Sequence, residues 1–162
     1  MKSELILESF LQKQRFSRIL PYITGEVLDF GGNKGELAKY IDNKYFCVNY
    51  DYTILKGRTF DTIVSLAVLE HIPLDNVNNV IKMFYEHLNK GGKVIITTPT
   101  PLCKPILEFL ANLRILDKEN IMEHKKYYRY IDLYKLFKKN NFNIKLYKKF
   151  QFGLNQLAIF EK

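Results

Sequence analysis

Apolar positions recur at two spacings along this chain. Over 3–20, Leu5, Leu7, Phe10, Leu11, Phe16, Ile19 and Leu20 fall mostly three and four apart, which predicts an amphipathic helix. Ser3 suits its start and Pro21 limits it. Such a helix would cover an edge of a sheet and leave Gln14, Arg15 and Arg18 on a solvated face. The run 27–30 is apolar apart from Asp29, as a buried parallel strand is. A short helix follows, ending by Asn43, and 45–50 reads as a second strand. Residues 62–66 form the next apolar run, and 68–74 is a loop containing Pro73. From Asp75, a suitable cap, Val77, Val80, Ile81, Phe84 and Leu88 mark a helix to Asn89 that Gly91 or Gly92 ends. A strand follows over 93–98. Helix is expected over 105–116, an irregular tyrosine-rich segment over 117–130, and helix over 131–139. The alternating segments 142–150 and 154–160 flank Gln151-Phe152-Gly153 and predict an antiparallel hairpin. Strands alternating with helices imply an α/β fold with a mostly parallel sheet.

The stretch Val27-Leu28-Asp29-Phe30-Gly31-Gly32-Asn33-Lys34-Gly35-Glu36-Leu37 passes from strand through a glycine turn into a helical pattern. Glycines let a backbone approach a ligand closely, and the first N–H groups of a helix are free to meet it. Asn33 stands among them, one of the few other residue types that tolerate a left-handed backbone. About twenty residues after the first glycine comes Asp51, placed to grip the two hydroxyls of a ribose. Gly31, Gly32, Asn33, Gly35 and Asp51 are therefore candidate cofactor-binding residues.

Length sets one domain over residues 1–162, long enough to bury a core. With 47% hydrophobic and 14% aromatic residues the chain is globular, and no apolar run reaches the roughly 20 residues of a membrane span. Cys47 and Cys103 sit in apolar surroundings and read as buried thiols of a reducing compartment, so a cytoplasmic location is expected. The net charge of +8 is uneven. Residues 1–113 carry 13 Lys and Arg against 12 acids, whereas 114–162 carry 12 against 5. A basic last third leaves a nucleic-acid partner open without favouring it, since Lys-rich composition runs through the whole chain.

Three motifs in order resemble class I S-adenosylmethionine-dependent methyltransferases. Val27-Leu28-Asp29-Phe30-Gly31 to Gly35 resembles the first. The run from Phe60 through Leu69-Glu70-His71-Ile72 resembles the fourth strand and the loop after it. The stretch from Leu88-Asn89-Lys90-Gly91-Gly92 to Pro99 resembles a helix end and the fifth strand. The resemblance implies a Rossmann-like doubly wound sheet with a C-terminal antiparallel hairpin, S-adenosylmethionine as cofactor and S-adenosylhomocysteine as product. It implies that Asp29 reaches the cofactor's amino group, that Tyr52 lies against the adenine, and that backbone near Leu66 supports that ring. Only eight residues separate Asp51 from Phe60, where the family places a helix, a third strand and often an adenine-binding acid. A crossover needs about a dozen residues or more. The third strand should be reduced or missing, leaving the second strand as an open edge, partly covered at Tyr45, Asn49 and Tyr50 by the 52–59 loop or by another subunit.

Methyl transfer to oxygen needs alignment, and a base when a hydroxyl must lose its proton. His71, with Glu70 beside it, is the candidate base because imidazole titrates near neutrality. His124, in Glu123-His124-Lys125-Lys126-Tyr127-Tyr128, stands where small-molecule relatives line the acceptor pocket. Ala67 interrupts the Glu-x-x-Glu-His set by which some relatives bind metal, so no metal is expected. The Asn/Asp-Pro-Pro-aromatic motif of DNA-adenine and glutamine-amide methyltransferases is absent after the fourth strand. The expected reaction is therefore O-methylation of a small-molecule, sugar or lipid-linked acceptor. The rival readings are a non-catalytic cofactor-binding partner subunit, an RNA methyltransferase and a nicotinamide dehydrogenase.

Overall fold

The computed structural model describes residues 2–49, 51–106 and 125–162. Helix α1 (Lys2–Ile19) leads through a single 3-10 turn to β1 (Val27–Phe30). Strands β2 (Tyr45–Val48) and β3 (Phe60–Leu66), helix α2 (Val77–Glu86) and strand β4 (Leu88–Pro99) follow. Helix α3 (Tyr130–Lys139) and the strands β5 (Asn143–Phe150) and β6 (Asn155–Glu161) complete the described elements. The order across the sheet is β2-β1-β3-β4-β6-β5. The first four strands run parallel, and β6 is antiparallel to both β4 and β5.

The apolar runs divide into two faces because successive strand residues point to opposite sides. Val27, Val64, Ile95, Leu157 and Ile159 meet Phe16 and Ile19 of α1. Leu28, Ile63, Val94, Ile96, Ala158 and Phe160 meet Val80, Ile81 and Phe84 of α2 and Leu133 and Phe137 of α3. Each fully buried Leu, Ile or Phe contributes about 1.5–3 kcal/mol. Helix α1 thus covers a face of the sheet rather than an edge. Phe10, expected in its apolar stripe, is instead exposed.

Among the described residues no further strand follows β2 before β3 along the chain, and β2 is the edge of the sheet. Residues 52–59 hold one 3-10 turn, Thr53–Leu55, pinned by the fully buried Leu55. Arg58 lays its guanidinium 4.5 Å from the centre of the Phe46 ring on β2. The expected cover of the edge strand therefore falls on Phe46; Tyr50 lies outside the described residues, and Asn49 is exposed.

Two expected boundaries move. Asp75 does not cap α2: Asn76 stands at the N-cap without a side-chain bond, and the Pro73 carbonyl accepts from the Asn76 and Val77 N–H groups. The helix ends at Glu86, and Gly91 and Gly92 lie inside β4 rather than after a helix. Pairing jumps from Phe60–Leu88 to Thr62–Lys93, so residues 89–92 form a bulge. Asp61 explains it: its carboxylate accepts from the Asn89 amide at 2.8 Å and from the Glu26 N–H at 2.8 Å. These two bonds hold Asp61 below the usual carboxylate range.

The helix expected over 105–116 and the loop over 117–130 fall mostly on residues 107–124, outside the described residues, as does His124. Residues 103–106 are helical and 125–129 irregular. Among the described residues no helix is long and apolar enough to cross a membrane.

Candidate active site

β1 delivers the chain to the carboxyl end of the sheet, where open α/β sheets bind ligands. Gly31 turns it with φ 80°, and a Cβ there would come within 2.5 Å of the Val68 side chain. Gly32 answers a different demand, because its Cβ would overlap Asp29 Oδ2 at 2.2 Å. Asn33 adopts φ 53°, as its residue type allows. Gly35, at φ 68°, precedes a 3-10 helix, Glu36–Tyr40, so the expected short helix is not an α-helix.

Asp29 is buried under this turn, and the Tyr45 hydroxyl donates to its Oδ2 at 2.5 Å. Burial pushes the Asp29 carboxyl up to about 6, while the Tyr45 bond pulls it down. Partial burial and the carboxylate beside it in turn raise the Tyr45 hydroxyl well above its ordinary value. Cys47, half-buried rather than buried, packs its Cβ 3.8 Å from the Cβ position of Gly35. Asn49 closes the turn from the same strand. Its Oδ1 accepts from the Asn33 N–H at 2.8 Å and its Nδ2 donates to the Asn33 carbonyl at 3.1 Å.

A cavity of about 490 Å³ opens above the turn. Its lining includes Phe30, Gly31 and Asn33 of the turn, Asn49 and Tyr52, and Ala67, Val68, His71 and Ile72 from the segment after β3. Ala67 holds φ 57°, so the chain leaves β3 through a left-handed turn before reaching His71. Strain of this kind persists where surrounding structure holds it, often at ligand sites. Here the Ala67 N–H donates to the Thr97 carbonyl at 2.8 Å.

The site therefore unites Gly31, Asn33, Tyr52 and His71. Gly32 and Asp29 are absent from the lining, with the Asp29 side chain packed against Gly32. Asp51 stands apart from the lining: exposed, its Oδ1 accepts from the Thr53 N–H at 3.0 Å and the Thr53 hydroxyl at 2.5 Å. Those bonds hold Asp51 below the ordinary carboxylate range. Leu66 packs into the core face beneath α1 and is also absent from the lining.

A family model described as "Methyltransferase domain" matches residues 7–146. The chain belongs to this methyltransferase family. It is an S-adenosylmethionine-dependent methyltransferase. Solved structures share its fold. Magnesium protoporphyrin IX methyltransferase from Synechocystis, with S-adenosylhomocysteine bound, is 15% identical at a TM-score of 0.63, over 99% of this chain and 86% of that one. A methyltransferase from Archaeoglobus fulgidus is 16% identical at 0.63, over 94% and 93%. An O-methyltransferase family protein from Burkholderia thailandensis is 13% identical at 0.61, over 91% and 52%. No curated protein sequence matches the chain.

The methyltransferase's turn leaves room for a cofactor beside it: Gly31 and Asn33 line the cavity, and a side chain at Gly31 would collide with Val68, which lines it too. Glu70 is fully buried and absent from the cavity lining. Burial raises its carboxyl to about 7, against the pull of the Thr98 hydroxyl and the Arg15 guanidinium. Thr98 is near without good bonding geometry: neither its Oγ1 nor Glu70 Oε2 has a hydrogen-bond partner among the described residues. The Glu70 backbone carbonyl accepts from Lys125 N–H at 2.7 Å. Tyr128, buried nearby and raised to about 12 by burial and by Glu70, belongs to the same polar group. Arg15 thus turns towards buried charge, contrary to the solvated face expected of it. Among the described residues no cluster could hold a metal.

Residue choice along β2 went unread in the sequence. Tyr45, Cys47 and Asn49 are two apart and so share a face, a signal that was available. Asp-Tyr-Thr at 51–53 is likewise an Asx-turn pattern, in which the carboxylate serves its own backbone.

Proposed function

We propose that this methyltransferase methylates a hydroxyl on a small-molecule, sugar or lipid-linked acceptor, with His71 taking the proton the hydroxyl must lose. One observation carries the reading: His71 lines the same cavity as Gly31 and Asn33. A base near neutral pKa beside the cofactor cradle is what O-methylation at physiological pH requires. When bound, the cofactor supplies an activated methyl group on sulfonium. The chain's own tasks are then orientation and proton removal. Gly31, Gly32, Asn33 and Gly35 would hold the cofactor's amino-acid portion, with Asp29 under its amino group. Tyr52, half-buried in the cavity lining, would supply an aromatic ring for the adenine.

The reading is tested by following S-adenosylhomocysteine release against panels of hydroxyl, carboxyl and amine compounds and against RNA. Turnover is expected with hydroxyl acceptors. His71→Ala should lower that turnover by about 10²–10⁴-fold, a larger loss than its loss of S-adenosylhomocysteine affinity. Turnover confined to amines or RNA, or an H71A enzyme as fast as wild type, would sink it.

A further inference from the structure

Asn33 is the left-handed corner of the cradle, and its peptide is gripped from outside at both polar atoms. One side chain makes both bonds. Asn49 accepts from the Asn33 N–H and donates to the Asn33 carbonyl. An asparagine is suited to this because it alone, with glutamine, carries an acceptor and donors on one planar group. Asn49 itself follows directly on the short edge strand β2, whose Tyr45 holds Asp29 and whose Cys47 packs against Gly35. The half-buried strand at the sheet's edge, with Asn49 just beyond it, thus holds the turn at Asp29, Asn33 and Gly35. Asn49 also lines the cavity, whereas the Asp51 carboxylate is engaged by Thr53.

We infer that Asn49 is a positioning residue for the cofactor, presetting the cradle by clamping the Asn33 peptide in its left-handed turn. A loop fixed before binding loses less freedom when the ligand arrives, so the clamp acts on affinity. The inference rests on the cradle holding S-adenosylmethionine and does not depend on the acceptor being a hydroxyl. A failure of O-methylation leaves it standing, and its own failure leaves the acceptor reading untouched.

The test uses the full chain, calorimetric titration with S-adenosylhomocysteine, and hydrogen exchange at the Asn33 amide. Asn49→Ala loses both bonds. Its affinity should fall about tenfold, and the Asn33 amide should exchange faster than in wild type. Asn49→Asp keeps an acceptor for the Asn33 N–H but places a carboxylate against the Asn33 carbonyl. Exchange should stay slow while affinity falls to an intermediate value. That ordering separates a local clamp from general loosening, which would speed exchange across β1 and β2 alike. N49A binding within twofold of wild type, with Asn33 exchange unchanged, would overturn the inference. Because Asn49 is exposed, both variants are expected to fold; if N49A does not, wild-type affinity in N49D overturns it equally.

Discussion

The two edges of the sheet are built on opposite principles. β2 is four residues long, half-buried, and spends its side chains on the cofactor turn: Tyr45 on Asp29, Cys47 against Gly35, and Asn49 just beyond it on Asn33. β5 is eight residues long and exposes Lys145, Lys148 and Lys149 to solvent. Lysines on an edge strand deter pairing with another chain. Its Ile144 and Tyr147 pack against the core in which Phe137 of α3 stacks on Phe160 of β6 at 3.9 Å. One edge is shaped by the glycine turn and the other by solvent and core. Stability and binding should therefore separate across the sheet.

The largest effect expected is on the β5 side. Phe160→Ala removes a ring that is 1% exposed and stacked on Phe137. It should cost about 3–5 kcal/mol of stability, read by urea unfolding. S-adenosylhomocysteine affinity in the remaining folded protein should be little changed. A large affinity loss at temperatures where F160A is folded would break the separation.

Next comes pH, acting at the β2 side. Asp29 titrates at about 6 in the folded chain, above its ordinary 3.8. The folded state therefore holds this proton more tightly than the unfolded chain. The corresponding stability is complete below about pH 4 and is lost as pH rises through 6, by about 3 kcal/mol. Asp29→Asn should flatten that part of the stability profile between pH 4 and 7. The slope that remains belongs to Glu70, raised to about 7 by burial and subject to the same sign. Tyr45→Phe removes a bond that lowers the Asp29 pKa and should move the inflection upward. A D29N profile identical to wild type would show that Asp29 does not titrate as its burial requires.

The smallest effect sharpens the contrast from the solvent side. Lys145 pairs with Glu161 at 2.9 Å, both partly exposed. Lys145→Gln should change stability by no more than about 0.2–1 kcal/mol and leave S-adenosylhomocysteine binding unaltered. A binding defect in K145Q would mean that the outer edge reaches the site.

Much of this was legible in the order of residues. The apolar runs at 27–30, 62–66 and 93–98, the helix of α2 and the closing hairpin follow from periodicity, because burial on one or two faces imposes it. The shortened sheet followed from counting, since the eight residues after Asp51 cannot hold a crossover. The glycine turn and the left-handed Asn33 followed from which residue types bear positive φ. What sequence did not decide was partnership across the sheet. The bulge at 89–92 exists because Asp61, on another strand, binds Asn89. Glycine at 32 is demanded by an Asp29 side chain folded beneath it, and Arg15 is drawn inward by a buried Glu70. Asp51 and Asn49 stand two residues apart, and nothing in the order of residues tells which segment each serves. Only the turn at Thr53 and the position of Asn33 separate them, because hydrogen-bond geometry depends on where the backbone of another segment lies. Local pattern sets which elements form, and the packing of one against another assigns each polar side chain its partner.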